Sequence, residues 1–95
     1  MRSRNACDLE LIYTLLEIVS EKEQQNQEIS LISLFTEYRN RSGTKTTYYI
    51  VKKHVEIAVE KRLLEVRGTK PLFLVLTEKG RNYMTQFRKL MELLD

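Results

Sequence analysis

A chain of 95 residues, 42% of them hydrophobic, makes one domain with a single modest core. It has no apolar run of about 18 residues, which excludes a membrane-spanning helix, and its one cysteine, Cys7, excludes an internal disulfide. The net charge is only +3, and the charged start MRSRNACDLE has no apolar stretch after it, so a cytoplasmic, nucleoid-associated location is expected rather than a secreted one.

Residues 1–7 are polar and expected to be disordered. Asp8 is a candidate N-cap, with Glu10 well placed in the first turn of a helix from about Leu9 to Lys22. Leu9, Ile12, Leu15, Leu16 and Val19 follow helical spacing. Leu11 and Ile18 form a second stripe with Leu15, so this helix is apolar on more than one side, and the second side is expected to face another subunit. EKEQQNQE (21–28) has almost nothing to bury and reads as a frayed end and a loop, with Glu21 and Glu23 as solvated charges.

Ile29 offers a short strand that can join a later hairpin. Ser30 is placed to cap a second helix, Leu31 to about Asn40, with Leu31, Leu34, Phe35 and Tyr38 on one face. RNRSG (39–43) breaks the pattern, and Gly43 tolerates the positive φ of a tight turn. A third helix starts near Thr44 or Lys45 and runs to about Arg62. Tyr48, Val51, Val55, Ala58 and Val59 are expected to face the core. Lys45, Thr46, Thr47, Tyr49, Lys52, Lys53 and Glu56 then lie nearer the outside, while Ile50 and Ile57 fall between the faces.

LLEVR (63–67) and LFLVL (72–76) are two apolar runs separated by GTKP, which predicts a β-hairpin with a basic tip at Arg67, Gly68, Thr69 and Lys70. Thr77 caps a last helix with Glu78 in its first turn. Its stripe of Tyr83, Met84, Phe87, Leu90, Met91 and Leu94 is too long for a core this small. The segment 78–94 is therefore expected to be a dimerisation helix. The whole chain, 1–95, is one α+β, mostly helical domain: three helices, a two- or three-stranded sheet and the C-terminal helix.

Charge is divided along this order. Residues 1–38 carry a net −4 and residues 39–95 a net +7. Between Tyr38 and Val55 stand Arg39, Arg41, Lys45, Lys52 and Lys53, with no acidic residue. A basic helix start followed by a basic hairpin suits a polyanionic partner, against the plainer reading of a solvated basic face.

The element order and residues 61–81, KRLLEVRGTKPLFLVLTEKGR, resemble the winged helix-turn-helix proteins, in particular MarR-like and PadR-like regulators. In those proteins an xGLIxR step enters the wing and LTxKG leaves it. Leu63-Leu64-Glu65-Val66-Arg67 is similar to the first, with Arg62 where the glycine usually stands. Leu76-Thr77-Glu78-Lys79-Gly80 is similar to the second. The chain also resembles, in size, the small dimeric winged-helix proteins of archaea, their plasmids and their viruses, and the likeness covers about residues 8–94. It implies a recognition helix starting at Lys45, whose first part enters the major groove of double-stranded DNA, with the wing beside it.

On that reading Thr46, Thr47 and Tyr49 meet base edges or phosphates, and a threonine methyl can touch a thymine methyl. Lys52 and Lys53 follow one to two turns along. Arg39, Arg41 and Lys45 surround the turn where phosphates pass, and Arg67, Thr69 and Lys70 are wing contacts. The dimer interface is expected from Leu11, Leu15, Ile18, Tyr83, Phe87, Leu90, Met91 and Leu94. His54, the one histidine, reads as packed or solvated, or as a phosphate partner. No metal cluster, phosphate loop, nucleophile elbow or spaced carboxylate pair is found, so no enzyme, no cofactor, no metal and no small-molecule ligand are expected. The leading function is a sequence-specific, homodimeric transcription regulator. Alternatives are an architectural or partition protein coating DNA, supported by the few planar Arg or Asn readers on the outer helix face, and a protein–protein adaptor on the same scaffold.

Overall fold

The computed structural model describes residues 8–43 and 46–94. Cys7 and Lys45, and the predicted helix start at Thr44 or Lys45, lie outside the described residues. The order is α1 (Leu9–Gln24), β1 (Ile29–Ser30), α2 (Leu31–Ser42), α3 (Tyr48–Glu60), β2 (Leu64–Arg67), β3 (Phe73–Leu76) and α4 (Glu78–Leu94). This is an α+β, mostly helical fold, with one antiparallel sheet ordered β1-β3-β2.

The first helix begins as its cap predicts: the Leu11 amide donates to Asp8 Oδ1 at 3.1 Å. It packs against α2, α3, α4 and β3. That surround corrects the expectation for its second stripe. Leu11, Leu15 and Ile18 are buried within this chain, at 7%, 1% and 0% exposure, together with Ile12, Leu16 and Val19. They are therefore not available to a second subunit. A helix with neighbours on several sides buries several stripes inside one protomer.

Each later helix has a local reason for its ends. Ser30 accepts from the Ser33 amide and starts α2, and Gly43 ends it with φ +65°. Thr47 accepts from the Ile50 amide and starts α3 at Tyr48, three or four residues later than the sequence predicts. Tyr48 is thus the first residue of the helix rather than one in its second turn. It is 40% exposed, not core, and meets Phe35 edge-on with ring centroids 5.7 Å apart.

The end of α3 turns on Arg62, which has φ +66°. Its amide bonds the carbonyl of Val59, and the Leu63 amide bonds that of Ala58. This is the paired 5→2 and 6→1 helix ending in which glycine normally takes the left-handed position. The chain then enters β2, whose register against β3 pairs Leu64 with Leu76 and Arg67 with Phe73. β1 extends the sheet by pairing Ile29 with Leu74. Leu64, Leu74 and Leu76 enter the common core with Val51, Val55, Ala58 and Met84.

Glu21 and Glu23 are not loop charges. Both lie in α1, which runs on to Gln24. Glu23 Oε2 accepts from the Leu76 amide at 2.8 Å, beyond the reach of the two-residue strand β1, and Oε1 meets Arg81 at 2.8 Å. One carboxylate thereby joins α1, β3 and α4.

Candidate nucleic-acid interface

The exposed face of α3 follows from its buried one. Val51, His54, Val55 and Ala58 are buried, which turns Tyr49, Lys52, Glu56 and Glu60 outward, with Lys53 half-buried. This face changes sign along its length: lysines in the first half, glutamates in the second. Only the first half suits a polyanion, so the candidate surface is Thr46 to Lys53 rather than the whole helix. Thr46 is half-exposed, and Thr47 is exposed with its oxygen engaged by the Ile50 amide.

The hairpin tip is exposed throughout: Arg67, Gly68, Thr69 and Lys70. Gly68 has φ +79°, and a Cβ there would lie 2.7 Å from the Pro71 carbonyl oxygen, so the turn requires glycine. Arg67 faces Glu65 at 3.9 Å, and both side chains are largely in solvent, a pairing that restrains the arginine little.

The two arginines of the α2 end differ. Arg39 lies over the Phe35 ring at 5.4 Å and remains exposed, so its guanidinium stands at the α2–α3 junction with one face on an aromatic ring. Arg41 is bound to Glu21 by a two-pronged ion pair, Nη1 to Oε2 at 3.1 Å and Nη2 to Oε1. That bond holds the Glu21 carboxyl below its usual range and raises Arg41. Arg41 is therefore already occupied in this state.

His54 is not a surface group. It is buried, Nδ1 lies 2.8 Å from the Ile50 carbonyl, and Nε2 accepts from the Asp8 amide at 3.1 Å. Both ring nitrogens are engaged between α3 and the cap of α1, which removes it from any phosphate. The N–H therefore belongs on Nδ1, assigned from this bonding pattern.

The expected dimer residues separate into groups. Tyr83 and Phe87 are half-buried against α1: Phe87 stacks on Tyr13 at 4.7 Å, and the Tyr83 hydroxyl donates to the Leu9 carbonyl at 2.9 Å. Leu90, Met91, Leu93 and Leu94 continue past that contact and are exposed. Beside them Leu9, Tyr83, Phe87 and Leu90 line an apolar groove of about 180 Å³.

A second apolar groove, about 310 Å³, lies between α3 and the hairpin. Leu31, Val55, Val59, Val66, Leu72 and Leu74 form its walls, and it was not foreseen from the sequence. The available signal was Val66, an apolar residue facing the same side of the sheet as Leu64 but too near the tip to be covered; it is 43% exposed. Among the described residues there is no group of three or more His, Cys, Asp or Glu that could hold a metal ion, and no helix long and apolar enough to cross a membrane.

No protein-family model matches this chain, and no curated protein matches it in sequence.

Proposed function

We propose that this chain is a winged helix-turn-helix protein that binds double-stranded DNA as a homodimer and regulates transcription. In this reading α3 is the recognition helix, the β2–β3 hairpin is the wing, and α4 carries the dimer contact. The observation that carries it is the pairing of two exposed basic surfaces, the first half of α3 and the hairpin tip, with no acidic residue between Tyr38 and Val55. The element order and the sheet order β1-β3-β2 support the same layout. So does the joint at which Arg62, Thr77 and Gly80 meet, because it matches the motif positions that enter and leave a wing.

Arg39, Thr46, Thr47, Tyr49, Lys52, Lys53, Arg67, Thr69 and Lys70 form the proposed DNA surface. Lys52, Arg67 and Lys70 neutralise phosphates, while the α3 start faces base edges. The exposed Leu90, Met91 and Leu94 supply the proposed dimer seam, with Tyr83 and Phe87 at its root.

Selection of bound sequences from random duplex DNA tests this function. An enriched, two-fold symmetric site is the expected result. Binding without any enriched site would favour the architectural reading, which has one observation on its side: α3 has no Arg, Asn or Gln to form two-pronged bonds with a base. No binding at all would sink both.

A further inference from the structure

We propose that this protein reads DNA through thymine 5-methyl groups, using Tyr49 and the methyl of Thr47 as the specificity-determining contacts. The inference rests on the DNA-binding reading above and adds what the α3 surface recognises.

Three observations point the same way. First, α3 has no Arg, Asn or Gln, the planar groups suited to paired hydrogen bonds with guanine or adenine. Its charged members are two lysines and two glutamates, and the glutamates lie in the second half. Second, the exposed residues at its start present chiefly ring and alkyl surface. Tyr49 is 69% exposed, and Tyr48 and Ile50 are each 40% exposed beside it. Third, the Thr47 oxygen accepts the Ile50 amide as the helix cap, at 3.2 Å, so its methyl is the part of an exposed side chain not already bonded.

A helix start of aromatic and methyl surface, flanked by Arg39, Lys52 and Lys53, suits a groove lined by phosphates with methyls on its floor. In the major groove only thymine presents a methyl, so such a surface distinguishes A·T-rich sequence without hydrogen bonds to bases. The apolar patch could instead meet another protein. The basic surround and the absence of acid from Tyr38 to Val55 favour the polyanion.

The test measures affinity of the full chain for the best duplex from the random selection, at one salt concentration. It is repeated on the same duplex with uracil in place of thymine, which removes only the methyls. The wild type is expected to lose about fourfold per contacted methyl, from the transfer free energy of one methyl-sized group. Thr47→Ser keeps the cap oxygen and loses the methyl; it should bind the thymine duplex more weakly and show a smaller thymine-to-uracil ratio. Tyr49→Ala should do the same, with an unchanged thermal midpoint showing that α3 remains folded.

Equal wild-type affinity for thymine and uracil duplexes would overturn methyl reading while leaving DNA binding intact. A change in self-association on Tyr49→Ala, with the thymine preference unaltered, would assign the patch to a protein contact and also overturn it. Failure to bind any duplex would overturn the DNA-binding reading and this inference with it.

Discussion

The Thr77 hydroxyl is bonded to the Arg62 carbonyl oxygen at 2.6 Å. Thr77 Oγ1 in turn accepts from the Gly80 amide at 2.9 Å as the cap of α4, so one small side chain fixes the end of α3 to the start of α4 across the mouth of the hairpin. The Thr77 amide adds a bond to the Leu63 carbonyl. Thr77→Ala should cost about 1–2 kcal/mol in urea unfolding, the range for a lost cap. Thr77→Ser should retain most of it. Equal losses in both variants would show that the hydroxyl is not the stabilising group.

Two backbone positions at this joint predict opposite signs. Arg62 holds a left-handed conformation that glycine adopts without penalty. Arg62→Gly should be neutral to stabilising, by up to about 1 kcal/mol, once the extra freedom glycine gains in the unfolded chain is set against the relieved strain. Gly80 faces the Leu63 carbonyl oxygen, which an added Cβ would meet at 2.3 Å, and Leu76 Cδ1 at 2.7 Å. Gly80→Ala should therefore destabilise by about 1–3 kcal/mol despite alanine's better helix propensity. Thermal melts of the two variants decide both.

The Glu21–Arg41 pair predicts a small acid dependence. Hydrogen bonding to Arg41 lowers the Glu21 carboxyl below its ordinary 4.5. A lowered value means that folding favours the charged form, so this stability is present above pH 4.5 and is lost as pH falls through the folded value. Both side chains are more than a third exposed, which limits the effect to below about 1 kcal/mol. Glu21→Gln should flatten this part of the stability-versus-pH curve. It also releases Arg41, so a concurrent gain in DNA affinity is expected. An unchanged acid limb would show that the pair contributes nothing.

Salt dependence separates phosphate contacts from base contacts. Lys52→Ala and Lys70→Ala should each lower the slope of log affinity against log salt by about 0.9. Tyr49→Ala should lower affinity and leave the slope alone. A slope unaffected by either lysine would remove those residues from the phosphate set.

The end of α4 predicts self-association. Leu93 and Leu94 are 81% and 74% exposed, and Leu90 is 56% exposed. Leu90→Glu combined with Leu94→Glu should convert a dimer to a monomer in sedimentation without unfolding, because neither side chain is in the core. A monomeric wild type would refute the dimer seam outright.

Much of the order was legible locally. Asp8, Ser30 and Thr77 cap the helices that their sequence contexts predict, and Gly68 marks the hairpin turn, because capping and turn chemistry act over three or four residues. Ile29 joins the sheet as its position suggests. Three expectations failed, two of them for one shared reason. Leu11, Leu15 and Ile18 read as a subunit interface, Tyr48 as core, and Glu21 and Glu23 as solvated. For the α1 stripe and the carboxylates the deciding partner lies far away in sequence: four elements around α1, and Arg41, Leu76 and Arg81. For Tyr48 the cause is local, the cap at Thr47 that starts α3 late.

The sequence by itself determined the succession of elements, their caps and the segregation of basic charge into the second half, since periodicity, capping and charge are properties of neighbouring residues. Only the tertiary structure decided that Tyr48 joins the exposed start of α3 and that Arg41 is already bonded. It also decided that α1 is sheathed by its own chain while the end of α4 is not. Burial depends on how many elements converge on a surface, and a one-dimensional pattern records that a surface is apolar without recording what covers it.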